Sequence, residues 1–249
     1  MSLLDSITEG VSARPFKMLL YGPEGIGKST FASQAPHPLF LQTEDGLDQI
    51  GPRRSPLLTS LGQFREWIGD VAKHPDACKT LVIDSVTSLE ALVWSSVASA
   101  KGAPSISAIP WQEGYKASRD AFLAILASLQ AIVASGSNVV LIGHAKIDKF
   151  EEPGVATYDR WSPRLHKDVS GVLHQWCDLV LFAGFAPIGT KEEDKGFGKK
   201  RTIASKRGAP RILYTQPSPS RIAKNRYDLP EEIPFTWDAF QEEFTKAVS

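Results

Sequence analysis

The chain is poor in cysteine, has no net charge and has no long hydrophobic run, and each absence excludes a class of protein. Its 249 residues include only Cys78 and Cys177, outside any CxxC spacing, so we expect neither a disulfide framework nor a zinc ribbon. Twenty-eight Lys and Arg balance 28 Asp and Glu, which excludes a uniformly basic nucleic-acid binder but allows a local basic face. Because no run approaches 20 apolar residues and the N-terminus lacks a signal-peptide pattern, we expect a cytoplasmic protein with no membrane span.

The order of apolar runs predicts an α/β fold. Five short runs, at 17–21, 38–43, 80–84, 138–144 and 179–182, are typical of strands buried on both faces. Segments of helical spacing lie between them and near the end of the chain, at residues 29–35, 61–73, 86–100, 115–134, 165–176 and 236–248. Strands that alternate with helices form βαβ units, so we expect a mostly parallel sheet with helices on both faces.

The neutral total charge conceals two regions of opposite sign. Residues 191–226 contain eleven Lys or Arg and three acidic residues, a net charge of +8, so the other 213 residues carry −8. A basic region of this kind suits a nucleic-acid face, packing against an acidic neighbouring subunit, or simply a solvated surface. The predicted organisation is a tail (1–14), a core (15–235) with a β-rich appendage of ribbons from about 186, and a C-terminal helix (236–249).

The strongest motif lies between the first predicted strand and the first predicted helix. It matches G-x-x-x-x-G-K-[ST] and consists of Gly22, Pro23, Glu24, Gly25, Ile26, Gly27, Lys28, Ser29 and Thr30. Glycines allow backbone N–H groups to surround phosphate oxygens, and the helix N-terminus adds a positive dipole end. Lys28 is placed to reach the β- and γ-phosphates and the Ser29 hydroxyl to bind Mg²⁺, so the motif predicts an ATP site.

A second Mg²⁺ ligand is expected at the end of another buried run. Asp84 ends the third run, which places it near the phosphate loop at the carboxyl edge of the sheet. It would bind Mg²⁺ with Ser29, directly or through a water molecule, although an Asp that only caps the next helix is the alternative. Ser85 follows it, where many ATPases have the glutamate that activates water, so the general base must come from elsewhere.

Two further polar residues follow apolar runs at the same predicted edge. Glu44 comes directly after the second run and is the candidate that orients the attacking water, with Asp45 as the neighbouring alternative. His144 ends the fourth run and is placed to sense the γ-phosphate, although a lone histidine also fits a structural role.

These features together resemble the RecA-like ATPases. The segment 40–48 looks like the segment of RecA that carries its catalytic glutamate. The sequence Leu-Val-Ile-Asp-Ser, ending at Ser85, looks like its Walker B strand, and the strand ending at His144 looks like its γ-phosphate sensor strand. Over residues 15–234 the layout is most similar to phage nucleotide-binding proteins, which include Sak-type single-strand annealing recombinases. Lys224 and Arg226 resemble the Lys-x-Arg pair of DnaB-type and KaiC-type members, which reaches the neighbouring subunit's nucleotide; a solvated basic turn is the alternative.

The resemblance implies where DNA would bind. In RecA-like recombinases two loops hold DNA, and the matching stretches here are 101–116 and 146–164. Their candidate DNA contacts are Trp111, Lys146, Lys149, Arg160, Trp161 and Arg164. Cations there would meet phosphates and aromatic rings would stack on bases, although either tryptophan could simply anchor its loop.

The resemblance therefore implies an ATPase that is stimulated by single-stranded DNA and promotes annealing or recombination. It implies a phage protein in the host cytoplasm, a homo-oligomer (ring or filament) with nucleotide between subunits, and a single-stranded-DNA-binding protein as a further partner. Two other functions stay open from the sequence: an ATP-gated loading or binding module for a replication protein, and a small-molecule P-loop kinase with residues 191–211 as its lid.

Overall fold

The computed structural model describes residues 14–151, 154, 156–186, 191–194, 200–203 and 208–249. Residues 1–13 of the predicted tail and parts of the basic C-terminal region therefore lie outside the described residues. The strands are β1 (Lys17–Gly22), β2 (Pro38–Gln42), β3 (Thr80–Asp84), β4 (Asn138–Phe150), β5 (Tyr158–Pro163), β6 (Leu179–Phe185), β7 (Lys191–Asp194), β8 (Lys200–Ile203), β9 (Arg211–Tyr214), β10 (Lys224–Asn225) and β11 (Glu232–Pro234). The helices are α1 (Lys28–Ser33), α2 (Leu61–Lys73), α3 (Val86–Ala100), α4 (Glu113–Ala134), α5 (Lys167–Trp176) and α6 (Trp237–Val248).

The central sheet has the strand order β11-β9-β6-β1-β4-β3-β2. The five strands β6, β1, β4, β3 and β2 run parallel, whereas β9 pairs antiparallel with β6 and β11 pairs antiparallel with β9. The register aligns Gly22 with His144 and Gln42 with Asp84. Because parallel strands end at the same edge, the polar residues after β1, β2, β3 and the first part of β4 come together there, and the predicted α/β fold is confirmed.

Helices cover both faces of the sheet and bury its continuous apolar strands. One core contains residues from α2, α3, α4 and α5, and the other contains residues from α1 and α6. The helix α2 shows how the sequence builds this layer: the Ser60 hydroxyl accepts a hydrogen bond from the Gln63 N–H at its start. Its buried residues recur at helical spacing, namely Leu61, Phe64, Ile68 and Val71.

One helical segment, Pro110–Ala134, is long and apolar enough to cross a membrane by length and composition alone. Its α-helical part, α4, contacts α2, α3 and α5 within the helical layer. Its buried side chains include Phe122, Leu126 and Leu129, which belong to the core. The apolar composition of α4 is therefore explained by packing against three other helices.

The structure differs from the sequence prediction after residue 144. The predicted strand 138–144 continues to Phe150 as β4, and its second half pairs antiparallel with β5, with Ile147 opposite Trp161. The stretch 146–164, expected to be a loop, is thus mostly a β-hairpin that projects from the sheet edge. The hairpin was missed because its strands interrupt apolar residues with charged ones, leave Ile147 exposed and have no continuous buried apolar run.

Candidate nucleotide site

The loop between β1 and α1 has the backbone shape that the glycine motif predicts. Gly25 and Gly27 adopt φ angles of 73° and 102°, a region that residues with a Cβ rarely occupy. At Gly22 a Cβ atom would collide with the Ala183 carbonyl of the neighbouring strand β6. The glycines therefore let the loop pass close to the sheet and turn into the N-terminus of α1.

Lys28 is a buried cation with the character of a phosphate ligand. Its side chain donates to the carbonyl oxygens of Gly22 (3.0 Å) and Pro23 (2.9 Å), which leaves one ammonium proton for a further acceptor. The residue is only 7% exposed, and burial lowers the pKa of its ammonium group. The charges of Asp84, Glu44 and Glu24 oppose that lowering, and a bound polyphosphate would bring further negative charge to the ammonium group.

Ser29 and Asp84 meet as the predicted metal-binding pair. The Ser29 hydroxyl donates to Asp84 Oδ2 at 2.6 Å, although β4 separates the strands β1 and β3. Burial raises the pKa of Asp84, and the nearby charge of Glu44 raises it further. A hydroxyl and a carboxylate beside a phosphate loop are the donors that Mg²⁺ prefers, so these two residues fit the ion.

Glu44 is held by three side chains. Its Oε2 atom accepts hydrogen bonds from the Ser85 and Ser88 hydroxyls, each at 2.6 Å. His144 Nε2 lies 3.1 Å from Oε1 and 3.0 Å from Oε2. Burial raises the pKa of Glu44, but hydrogen bonds from His144, Ser85 and Ser88 outweigh burial and bring the pKa to about 2. Glu44 is therefore an ionised and firmly oriented carboxylate.

His144 connects this carboxylate to the phosphate loop. Its backbone N–H donates to the Thr87 hydroxyl at 3.0 Å, which fixes the end of the parallel part of β4 to α3. Its Nδ1 atom lies 3.7 Å from Glu24 Oε1 on the loop, beyond hydrogen-bond distance. Both imidazole nitrogens thus face acidic side chains that belong to the predicted site.

A cavity of about 290 Å³ joins these groups. Its lining residues are Glu24, Gly25, Gly27, Lys28, Ser29, Thr30, Glu44, Ile50, Asp84, Ile142 and His144. The structure thus brings together Lys28, the predicted metal pair, the candidate base and the candidate sensor. Asp45, the alternative base, is exposed and does not line this cavity.

Lys224 and Arg226 lie at the other edge of the sheet. The strand β10 pairs with the first residues of β6, at the amino edge. Lys224 Nζ donates to three carbonyl oxygens at the end of α5, those of His174 (2.7 Å), Gln175 (3.2 Å) and Cys177 (2.7 Å). Arg226 pairs at 3.0 Å with the buried carboxylate of Asp178. These contacts stabilise the fold, and the trans-acting role of the pair remains a prediction.

The predicted DNA-binding residues occupy different environments. Trp111 is 87% exposed, whereas Trp161 stacks on Phe182 at 5.7 Å and packs against the core. Lys149 is exposed, and the Arg160 guanidinium lies 3.5 Å from the centre of the Phe150 ring. Trp161 therefore anchors the hairpin, in agreement with the structural alternative, whereas Trp111 is free to stack on a base.

Arg164 and Lys146, the other two predicted DNA contacts, form ion pairs. Lys146 Nζ lies 3.3 Å from Asp148 Oδ2 within β4. Arg164, directly after β5, pairs at 3.3 Å with Glu24 of the phosphate loop.

The sequence did not reveal the residues that hold the site residues in position. Ser85 and Ser88, which lie one residue and one turn after Asp84, donate hydrogen bonds to Glu44 and were not predicted to do so. Arg211 donates to the Ile26 carbonyl at 3.1 Å and holds the phosphate loop from its outer side. Hydroxyls directly after a strand-ending Asp were a signal for the serines, whereas nothing in the sequence indicated Arg211.

The fold and the site together define a P-loop ATPase of the RecA-like class. The defining features are a phosphate loop after β1, a carboxylate at the end of β3 and the parallel order β6-β1-β4-β3-β2. The chain belongs to the AAA domain family, which it matches over residues 14–227. No match was found among curated proteins.

Solved structures that are similar to this chain have low sequence identity to it. A KaiC-like protein, PH0186, from Pyrococcus horikoshii OT3 is 15% identical over 89% of this chain and 85% of its own, with a TM-score of 0.45. The flagellar accessory protein FlaH from Methanocaldococcus jannaschii is 9% identical over 88% of this chain and 84% of its own, with a TM-score of 0.43.

Proposed function

We propose that this chain hydrolyses ATP with Mg²⁺ and couples hydrolysis to the binding of single-stranded DNA during annealing or recombination. The observation that carries the proposal is the shared cavity in which Lys28, Ser29, Asp84 and the ionised Glu44 meet. In this cavity the ionised Glu44 is placed to accept a hydrogen bond from a water molecule next to the terminal phosphate.

The residues of the chain divide the work of hydrolysis. Lys28 and the loop N–H groups bind the phosphates, and Ser29 and Asp84 would hold Mg²⁺. Mg²⁺, when bound with ATP, supplies positive charge that neutralises the phosphates. Glu44 accepts a hydrogen bond from the attacking water and aligns it with the terminal phosphate, while His144 and the two serines fix the carboxylate.

A basic cleft beside the hairpin supports the DNA half of the proposal. It has a volume of about 570 Å³ and lies between β4, β5 and α5. Lys146, Arg160 and Lys167 line it, with Asp148 as its acidic residue. Trp111, which does not line this cleft, lies four residues before Tyr115, whose ring stacks at 4.4 Å on His166 just after the hairpin. Cations for the backbone and an exposed ring for a base suit a single strand.

The remaining parts of the proposal follow from the resemblance. We infer a phage-encoded protein that acts in the host cytoplasm as a ring or filament, with nucleotide at subunit interfaces and Lys224 and Arg226 facing a neighbour. A single-stranded-DNA-binding protein would be a further partner.

Hydrolysis is tested by phosphate release from Mg-ATP with wild-type protein and with Lys28→Ala. We expect turnover in the wild type and none in the variant, because Lys28 is the buried cation of the phosphate loop. If Lys28→Ala hydrolyses ATP as the wild type does, the phosphate loop is not the active site.

DNA binding is tested by fluorescence anisotropy of a labelled oligothymidylate with ATP, with ADP and without nucleotide. We expect binding that depends on nucleotide and weakens with salt, because phosphate contacts release counterions. ATP hydrolysis without any DNA binding would refute the DNA half of the proposal and would indicate an ATPase that acts on another partner.

A further inference from the structure

Arg164 lies beside the nucleotide cavity, paired with a residue that lines it, and not on the outer part of the hairpin. It follows β5 directly, and its backbone N–H donates to the His144 carbonyl at 2.8 Å. Its guanidinium lies 3.3 Å from Glu24 Oε1, on the loop that surrounds the phosphates. The side chain is half exposed, so it can change partner without disturbing the core.

Glu24 places a negative charge on the loop that would surround the phosphates. The same oxygen, Oε1, lies 3.7 Å from His144 Nδ1, so one acid faces both residues. A bound triphosphate would repel the Glu24 carboxylate and attract the Arg164 guanidinium. Arg164 is also close to Lys28: burial is the main reason why the pKa of Lys28 is lowered, and the charge of Arg164 lowers it further.

We propose that Arg164 is a catalytic cation of its own chain, which exchanges Glu24 for the terminal phosphate when a nucleoside triphosphate binds. The inference deepens the proposed function and rests on it. During hydrolysis the water oxygen bonds to phosphorus, the bond to the ADP oxygen breaks, and the water proton passes to the released phosphate or to solvent. Arg164 forms no covalent bond and stabilises charge on the peripheral phosphate oxygens.

A simpler role for Arg164 makes a different prediction. If the guanidinium only neutralised Glu24, its removal would leave an unpaired acid on the loop, and the neutral variant Glu24→Gln would restore binding. If Arg164 contacts phosphate, its removal should weaken triphosphate binding in the Glu24→Gln background as well. The double variant therefore separates a catalytic cation from a counterion.

The test measures the affinity of fluorescent ADP and of a fluorescent non-hydrolysable ATP analogue, together with kcat. The variants are Arg164→Ala, Arg164→Lys, Glu24→Gln and the double variant Glu24→Gln/Arg164→Ala. Arg119→Ala on α4 is the matched control, because Arg119 is a half-exposed arginine paired with the neighbouring Asp120. Thermal melting shows that each variant is folded.

We expect Arg164→Ala to weaken the triphosphate analogue roughly 10- to 100-fold and to change ADP affinity less than about twofold. We expect kcat to fall about 100-fold or more, Arg164→Lys to recover part of it, and the double variant to show a similar defect relative to Glu24→Gln. Arg119→Ala should match the wild type.

Three results would overturn the inference. Equal weakening of ADP and the triphosphate analogue would mean that Arg164 does not distinguish the terminal phosphate. A double variant that binds the triphosphate analogue as tightly as Glu24→Gln would make Arg164 a counterion of Glu24. A wild-type protein that binds neither nucleotide would refute the proposed function and this inference with it, whereas the first two results leave the ATPase proposal intact.

Discussion

Replacing Glu44 by Gln isolates the charge of the carboxylate from its shape. The side chain stays the same size, and its amide oxygen still accepts from one of the two serine hydroxyls. With a pKa of about 2, wild-type Glu44 is ionised at every pH at which the protein would be assayed. The substitution therefore removes a full negative charge from the position that would align water.

The expected loss follows from the usual contribution of a positioned base. Misplacing the attacking group in an active site can cost roughly 10²-fold in rate, which is about 3 kcal/mol in the activation free energy. We expect kcat for phosphate release to fall by at least about 100-fold, while affinity for the triphosphate analogue stays within a few-fold. The phosphate ligands Lys28 and Ser29 are untouched, so the variant should bind ATP without turning it over.

Asp45→Asn is the matched control for Glu44→Gln. Asp45 was the alternative base, is exposed, and does not line the cavity, so its variant should keep the wild-type rate. A normal kcat in Glu44→Gln would refute the assignment. A large loss in Asp45→Asn alone would transfer the role to the neighbouring residue.

Three further predictions concern stability and DNA binding. Burial raises the pKa of Glu90 to about 7, above its ordinary 4.5, so the unfolded chain ionises first and the folded protein loses stability as pH rises from 4.5 to 7. In urea denaturation, the unfolding free energy of Glu90→Gln should exceed that of the wild type by up to about 3 kcal/mol at pH 8 and by little at pH 4.5. Trp111→Ala should weaken oligothymidylate binding roughly tenfold with no change in melting temperature, whereas Trp161→Ala should lower that temperature. Lys224→Met should cost about 1–3 kcal/mol in urea denaturation, because three carbonyls at the end of α5 lose their donor. An unchanged stability of Lys224→Met would contradict that structural role and favour a surface role for the lysine.

The parallel core was predictable because its signals are local. The run at Thr80–Asp84 and the helix at Leu61–Lys73 have the predicted bounds, since buried strands are continuous apolar runs and amphipathic helices repeat every three to four residues. The glycine motif located the phosphate loop for the same reason. Polar residues that end buried strands, such as Asp84 and His144, then met at one edge of the sheet because parallel strands share their direction.

The missed features depend on contacts between distant segments. The hairpin β4–β5 has no buried run, and its pairing is visible only once the two strands are side by side. The contact of Arg164 with Glu24 joins residues 140 positions apart, which no local pattern encodes. In sequence, Lys224 and Arg226 resemble a trans-acting pair. In the structure, however, the Lys224 ammonium group donates hydrogen bonds to carbonyl oxygens at the end of α5 in its own chain.

The most direct test of the account is the rate of phosphate release from Mg-ATP by the wild-type protein with and without oligothymidylate. We expect the rate of phosphate release to rise several-fold with the oligonucleotide and to disappear in Lys28→Ala under both conditions. A rate equal with and without DNA would contradict the coupling between the nucleotide site and the basic cleft. No hydrolysis under either condition would contradict the role given to Glu44.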